Sequence, residues 1–282
     1  MKIIFWNIRG LGGAGRRGQF KDLMNHYHFD VVCLQETIKR DFSYHILKDL
    51  VNGQEFSWIW TEAEGHSGGI LTGVKNGDIE VINHDRGSFF ASIRAKNRKD
   101  GLVWEVINVY GPVQHERKQN FLKELTNKIH NTQCSFILGG DFNLIRFASE
   151  KSTQNADQGR MDMFNNFISD TGIREMLRKG GKFTWTNKQE QPIMSTLDRV
   201  FIRYDWEFAY PWATCEVLTR IGSDHNPLLV TTEDTRVNHP YIFRFEMAWF
   251  TDAEFQEKLV NRWPNRESED IQDYWKRVKK HI

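Results

Sequence analysis

Cysteine is scarce and odd in number. Cys33, Cys134 and Cys215 lie far apart in the 282-residue chain, so no pair has zinc-ligand spacing and no complete disulfide framework can form. A reducing, intracellular setting is the expectation. Long apolar runs are missing as well. None reaches the roughly 20 residues of a membrane-spanning helix, and no membrane partner is expected. The N-terminus lacks the basic-then-apolar layout of a secretion signal; Lys2-Ile3-Ile4-Phe5-Trp6-Asn7 starts a strand almost at once. There is no internal repeat and no low-complexity tract. Net charge is only +1, from 38 basic and 37 acidic residues. The chain therefore lacks the overall basicity of many nucleic-acid binders, and any such role falls to a local basic face.

Bulky core material is plentiful, with ten Trp and twenty Phe. Apolar runs bounded by turn residues predict strands over 2–7, 31–35, 69–74, 89–93, 103–110, 135–139, 197–202 and 227–230. Helices are expected over 17–26, 117–131 and 162–171. In the second of these, Phe121, Leu122, Leu125 and Ile129 form a stripe suited to packing on a sheet. The segment 94–99 reads as a hairpin between strands. Mixed strands and helices of this kind predict an α/β layered fold. Composition shifts near Thr231, which divides a domain of residues 1–231 from a linker and helical extension over 232–282. Within that extension, Phe243, Phe245, Trp249, Phe250, Phe255, Leu259 and Trp263 mark one or two helices. The chain stops inside a charged helical stretch, as expected of a piece of a longer polypeptide.

Polar residues recur where the predicted strands end. Asn7 ends the first strand, Glu36 follows the second, and Tyr110 closes the run from Val103. Asp141 and Asn143 follow 136–140, and Asp224 and His225 precede Pro227. In open α/β sheets, crevices at strand ends are where sites gather. Singly, each has a plainer reading. Gln35-Glu36-Thr37 resembles a helix cap, and Gly140-Asp141-Phe142-Asn143 has the composition of a turn. The loop Arg9-Gly10-Leu11-Gly12-Gly13 lacks the Gly-Lys-Ser/Thr ending of a phosphate-binding loop, and no acidic residue closes a following strand as a dinucleotide site requires.

Jointly the pattern is far more specific. Trp6-Asn7-Ile8-Arg9-Gly10, Leu34-Gln35-Glu36-Thr37, Asn108-Val109-Tyr110-Gly111-Pro112, Gly140-Asp141-Phe142-Asn143 and Ser223-Asp224-His225 stand in order, with Ser195-Thr196-Leu197-Asp198-Arg199 between the last two. This series resembles the endonuclease/exonuclease/phosphatase superfamily, over roughly residues 1–230. Two further stretches, Lys182-Phe183-Thr184-Trp185-Thr186-Asn187 and Phe243-Arg244-Phe245-Glu246-Met247-Ala248-Trp249, resemble the endonuclease domains of plant LINE-type retrotransposons. The resemblance implies a DNase-I-like four-layered α/β sandwich, two mixed β-sheets flanked by helices. It also implies a reverse transcriptase in cis in the full-length protein, nicking of double-stranded DNA to leave a 3′-hydroxyl primer, and a nuclear location.

By the same resemblance, Glu36, Asn7 and Asp224 are the metal-site residues for Mg2+ or Mn2+, whose hard character suits oxygen ligands. Asp141 is the general base, Asn143 orients the water, His225 donates to the phosphate, and Tyr110 contacts the phosphate or the leaving group. Either Asp224 or Asp198 holds His225. Electrostatics supplies a separate argument. Two carboxylates about 4 Å apart at an effective dielectric near 20 repel by roughly 4 kcal/mol, so Glu36, Asp141 and Asp224 in one pocket would call for a cation. Candidate DNA contacts are Arg9, Arg16, Arg17, Lys39, Arg146, Thr184, Trp185, Lys188 and Gln189, the last four in or beside a hairpin expected between strands at 183–186 and 195–201. An abasic-site repair endonuclease, a phosphatase and a catalytically silent binding domain share most of these features.

Overall fold

The computed structural model describes residues 1–64, 67–233 and Glu257. The linker and helices expected over 232–282 lie, past Glu233, outside the described residues apart from Glu257. From the N-terminus the chain forms β1 (Lys2–Asn7), α1 (Ala14–Tyr27), β2 (Val31–Gln35), α2 (Tyr44–Leu50), β3 (Phe56–Glu64), β4 (Ser67–Lys75) and β5 (Ile79–Arg86). It continues through β6 (Phe90–Asn97), β7 (Val103–Tyr110), α3 (Lys118–Asn131), β8 (Ser135–Asp141), α4 (Gln158–Thr171), β9 (Arg174–Glu175) and β10 (Arg178–Lys179). The last elements are β11 (Trp185–Thr186), β12 (Met194–Ser195), β13 (Asp198–Ile202), α5 (Tyr204–Ala209), β14 (Thr214–Val217) and β15 (Leu228–Thr231).

Two mixed sheets result, with strand orders β10-β14-β15-β1-β2-β4-β3 and β5-β6-β7-β8-β13-β9, together with a ribbon of β11 and β12. The reason for stacking is visible in β1. Ile3 and Phe5 point one way and Ile4 and Trp6 the other, and all four are buried, as in a strand covered on both faces. Ile3 and Phe5 join Val31, Cys33, Ile93, Val106, Ile137 and Val200 in a core between the sheets. Ile4 and Trp6 pack with Phe20, Met24 and Leu47 of α1 and α2. On the far side, Ile107, Leu138 and Phe201 meet Phe121, Leu125 and Phe164 of α3 and α4. Three cores between four layers are the expected α/β sandwich.

Several expected bounds shift, each for a local reason. The first helix begins at Ala14 and ends with His28 in the left-handed conformation. The third starts at Gln158, where the Asp157 carboxylate caps the Arg160 N–H, and stops at Gly172, also left-handed. The segment 94–99 is not a free hairpin: β6 runs on to Asn97 and the turn follows it. The strands β3 and β5 are sheet edges. The polar outer face of β5, Ile79–Arg86, hides the apolar signal that a strand buried on both sides displays.

The strand from Ser135 extends through Gly140 to Asp141, so Gly140-Asp141 is strand and not turn. Only glycine fits at 140. Its φ is +136°, and a Cβ would collide with the Val109 carbonyl oxygen of the neighbouring strand. Gly140→Ala is therefore expected to cost about 3 kcal/mol, read as a lowered urea midpoint; an unchanged midpoint would show that the strand relaxes around a side chain.

Candidate active site

Register places the site. In the six-stranded sheet, Tyr110 pairs with Asp141 and Asp141 with Asp198, so three polar residues stand abreast on β7, β8 and β13. In the seven-stranded sheet, Asn7 pairs with Gln35 at the ends of the parallel strands β1 and β2. Glu36 is the next residue, with φ +52°, a conformation that non-glycine residues seldom adopt. Its carbonyl accepts Gly10 N–H at 2.7 Å, which ties the loop after β1 to the loop after β2. The loop before β15 closes over Asn7. Ser223 Oγ donates to the Asn7 carbonyl at 2.7 Å and accepts His225 N–H at 3.2 Å, while the Trp6 indole donates to the His225 carbonyl at 3.2 Å.

The two sheets thus deliver one cluster. Asn7 Nδ2 donates to Glu36 Oε2 at 3.2 Å and to Asp141 Oδ2 at 2.9 Å, joining a carboxylate from each sheet. Asn143 donates its backbone N–H to Asp141 Oδ1 at 2.8 Å and its amide to Asp141 Oδ2 at 3.1 Å. His225 Nδ1–H donates to Asp198 Oδ2 at 2.8 Å, and His225 Nε2 faces Asp141 Oδ2 at 3.8 Å. Which aspartate holds His225 is thereby answered: Asp198 does. Asp224 instead accepts the Trp185 indole N–H at 3.0 Å and faces Arg9 Nη1 at 3.3 Å.

Charge follows from this packing. Burial opposes the imidazolium, but Asp198 and Asp141 outweigh it and raise His225 to about 9. Burial, the largest influence, pushes Asp141 above the ordinary carboxylate range, with Asp198 adding to it and His225 opposing. Tyr110 is likewise raised, by burial and then by Glu36 and Asp141, so it remains an O–H donor. Asp141, Asp198 and His225 offer ligand atoms within 4.8 Å of one another. A protonated imidazole donates and does not ligate, so His225 itself supplies that trio's positive charge.

The hard-oxygen set that remains is Glu36 and Asp224. Their side chains are 10% and 15% exposed at the cleft, and Arg9, whose Nε lies 3.7 Å from Glu36 Oε1, is a cation beside both. Arg16 also acts on Asp224, and Lys118 acts on Asp141. The Glu36 and Asp224 carboxylates at the cleft are nonetheless the donor type that suits a hard dication.

Not every expected residue reaches this centre. Thr184 is a correction: it is fully buried, and its hydroxyl accepts the backbone N–H groups of Leu197 and Asp198 at 3.0 Å, so it seats the Asp198 strand and cannot touch DNA. Arg146 is committed to Asn165 and Glu175 at 2.9 Å each. Arg17 closes the glycine loop by donating to the Leu11 and Gly12 carbonyls. Arg16 and Lys39 are partly exposed, and Gln189 is exposed at the tip of the ribbon. The hairpin between 183–186 and 195–201 is shorter than expected: β11 pairs with β12, and the rest of the second expected strand is β13 of the six-stranded sheet.

Sequence reading missed Lys118. It is buried in α3 and donates to the Pro112 and Asn143 carbonyls at 2.9 and 2.8 Å, pinning the loops that carry Tyr110 and Asn143. Burial lowers it to about 8, with Asp141 acting in the opposite direction. A lysine in an amphipathic helix gives no sign of this. Also missed was the partnership of Arg199, which is buried and paired with Glu150 and Glu175 next to Asp198.

The chain belongs to the Endonuclease/Exonuclease/phosphatase family, whose profile matches residues 4–225. A comparison with curated proteins found no match. Among solved structures, the AP endonuclease LMAP from Leishmania major superposes with a TM-score of 0.67 at 17% identity, over 81% of this chain and 86% of its own. The endonuclease domain of TRAS1, a telomere-specific non-LTR retrotransposon, gives 0.62 at 14%, over 81% and 96%. The 3′-5′ exonuclease NExo from Neisseria meningitidis gives 0.62 at 19%, over 82% and 99%. These neighbours share the fold.

The alkaline side of any activity that needs the imidazolium is fixed by His225. The ring is charged below about 9, so the rate should fall as pH rises through that value. Asp198→Asn removes the stronger raising charge, and the alkaline limb should move down by about one unit. A limb that stays in place in a pH–rate profile would show that the His225 proton is not used.

Proposed function

We propose that the chain is a divalent-metal-dependent phosphodiesterase that nicks duplex DNA, the endonuclease of a LINE-type retrotransposon of the kind found in plants. The observation that carries the chemistry is the convergence on one Asp141 carboxylate oxygen of Asn7, Asn143 and the His225 ring. A base fixed by two amides, beside a charged imidazole, suits attack of water on a phosphodiester.

Glu36 and Asp224, with Asn7 alongside, are the residues that would hold magnesium or manganese. Bound there, the ion would neutralise the scissile phosphate and stabilise the departing 3′ oxygen. Asp141 accepts the proton of the attacking water, and Asn143 keeps the carboxylate turned toward it. His225, held by Asp198, donates a hydrogen bond to the phosphate as charge builds. The Tyr110 hydroxyl, kept protonated, is a second donor to the phosphate or the leaving group. The products are a 3′-hydroxyl and a 5′-phosphate, and the hydroxyl would prime target-primed reverse transcription by a reverse transcriptase in cis. That role implies work in the nucleus. Among the described residues no helix is long and apolar enough to cross a membrane.

DNA as substrate draws support from the neighbours, since two of the three are named as endonucleases. The LINE reading draws support from the Thr184-Trp185 and Leu197-Asp198-Arg199 stretches and from the ribbon between them. Supercoiled plasmid incubated with the protein and magnesium should be nicked, and EDTA should abolish the nicking. Asp141→Ala or His225→Ala should each lower the rate by about 10^3-fold with folding intact. Wild-type cleavage by either purified variant would remove the mechanism. A strong preference for plasmid carrying abasic lesions would transfer the protein to repair.

A further inference from the structure

The ribbon of β11 and β12 is bonded at its base to the loop that carries Asp224 and His225. Thr186 N–H donates to the Asp224 carbonyl at 3.1 Å, and Asn226 N–H donates to the Thr184 carbonyl at 2.7 Å. The Lys188 ammonium, from the tip, donates to the Gly222 carbonyl at 2.7 Å. Trp185 forms a β-bridge with His225, and its indole N–H donates to Asp224 Oδ2 at 3.0 Å. Of the contacts on the Asp224 carboxylate this is the shortest. Arg9 lies at 3.3 Å from the same oxygen, and the Ser223 hydroxyl lies at 3.4 Å from the other. Arg9 is half exposed and Ser223 Oγ is already committed to the Asn7 carbonyl, so the indole is the rigid partner.

We propose that Trp185 is a positioning residue, fixing the Asp224 carboxylate toward the dication, and that the ribbon thereby joins the DNA-reading element to the metal site. This rests on the reading of Asp224 as a metal-holding residue given above. Trp185 was expected to meet DNA. A DNA contact and a carboxylate anchor differ in what they change. A contact governs affinity for the duplex and the choice of nick site. An anchor governs the ion and the turnover, because the carboxylate loses its preset orientation when the N–H is removed. Lys188 shares this arrangement: its ammonium serves the Gly222 carbonyl, which fastens the tip to the same loop.

The test is Trp185→Phe in the full chain, which keeps a ring beside His225 and deletes the N–H. Titration with Mn2+ alone, followed by calorimetry, should show affinity about tenfold weaker than wild type. On plasmid, kcat should fall by a similar factor while KM and the pattern of nicks stay as they are. Asp224→Asn should weaken Mn2+ binding as well, and Trp185→Phe added to it should change nothing further. Circular dichroism and thermal unfolding keep the comparison to folded protein, and Trp185→His provides a ring N–H donor that should recover part of the affinity. Raised KM and altered nick sites with unchanged Mn2+ affinity would overturn the anchor and make Trp185 a DNA contact. Wild-type Mn2+ affinity in Asp224→Asn would remove the metal-site reading and the anchor together. Weakened binding in Asp224→Asn but not in Trp185→Phe would remove the anchor alone.

Discussion

A single carboxylate oxygen, Asp141 Oδ2, lies where the two sheets meet at their strand ends. It receives the amide of Asn7 from one sheet and that of Asn143 from the loop after its own strand, and it faces a histidine held by Asp198. None of these partners is near Asp141 in sequence except Asn143. The arrangement therefore depends on how the sheets are set against each other, and a buried polar seam fixes that. Asn108 on β7 accepts the Gln35 amide at 2.6 Å and donates to the Leu71 carbonyl and Thr72 Oγ1 at 3.1 Å each, so a strand of one sheet is bonded to two of the other. Apolar packing alone tolerates sliding. Buried donors and acceptors do not, because a slipped pair leaves unsatisfied groups at about 1–3 kcal/mol each.

The same convergence creates an electrostatic demand. Carboxylates brought in from both sheets repel, and the fold meets the demand in two places by different means. At Asp141 and Asp198 the histidine takes a proton and becomes the counter-charge. At Glu36 and Asp224 an arginine stands close but half exposed, and the oxygens remain directed at the cleft. One half of the site is thus closed and supplies its own counter-charge, suited to moving protons. The other opens on the cleft with carboxylate oxygens, suited to an ion and to the anionic substrate an ion attracts.

How much of this the sequence disclosed follows from what each signal measures. Strands buried on both faces, such as 2–7 and 31–35, show as continuous apolar runs and were read to the residue. Edge strands such as Ile79–Arg86 carry alternating polar side chains and passed unnoticed. Polar residues ending apolar strands pointed to Asn7, Glu36, Tyr110, Asp141 and His225, which the fold brings together, because a polar group beside a buried run needs a reason. The choice between Asp198 and Asp224 as the partner of His225 was not legible. Both lie near in the pattern, and only the pairing of Asp198 with Asp141 across β13 and β8 separates them. Lys118 was passed over and Thr184 misjudged for one cause: composition reports that a residue is polar, not whether its polar atom is spent inside. Lys118 spends its ammonium on two loop carbonyls and Thr184 its hydroxyl on two amides.

On the proposed function, chemistry and selectivity occupy different kinds of structure. The reactive groups hang from strand ends whose register is locked by the seam, so they cannot be retuned without disturbing both sheets. The ribbon is a two-residue pairing on each side with a tip closed by Asn187 Oδ1, which accepts Ile193 N–H at 2.9 Å. Such a ribbon can change in length and composition at little cost to the core. A family that shares a reaction centre while meeting different substrates needs this division. The bonds from the ribbon to the loop 222–226 keep the division from being complete, since whatever moves the ribbon also loads the loop that presents Asp224 and His225. Selectivity built there is tied to catalysis through hydrogen bonds rather than through distance alone.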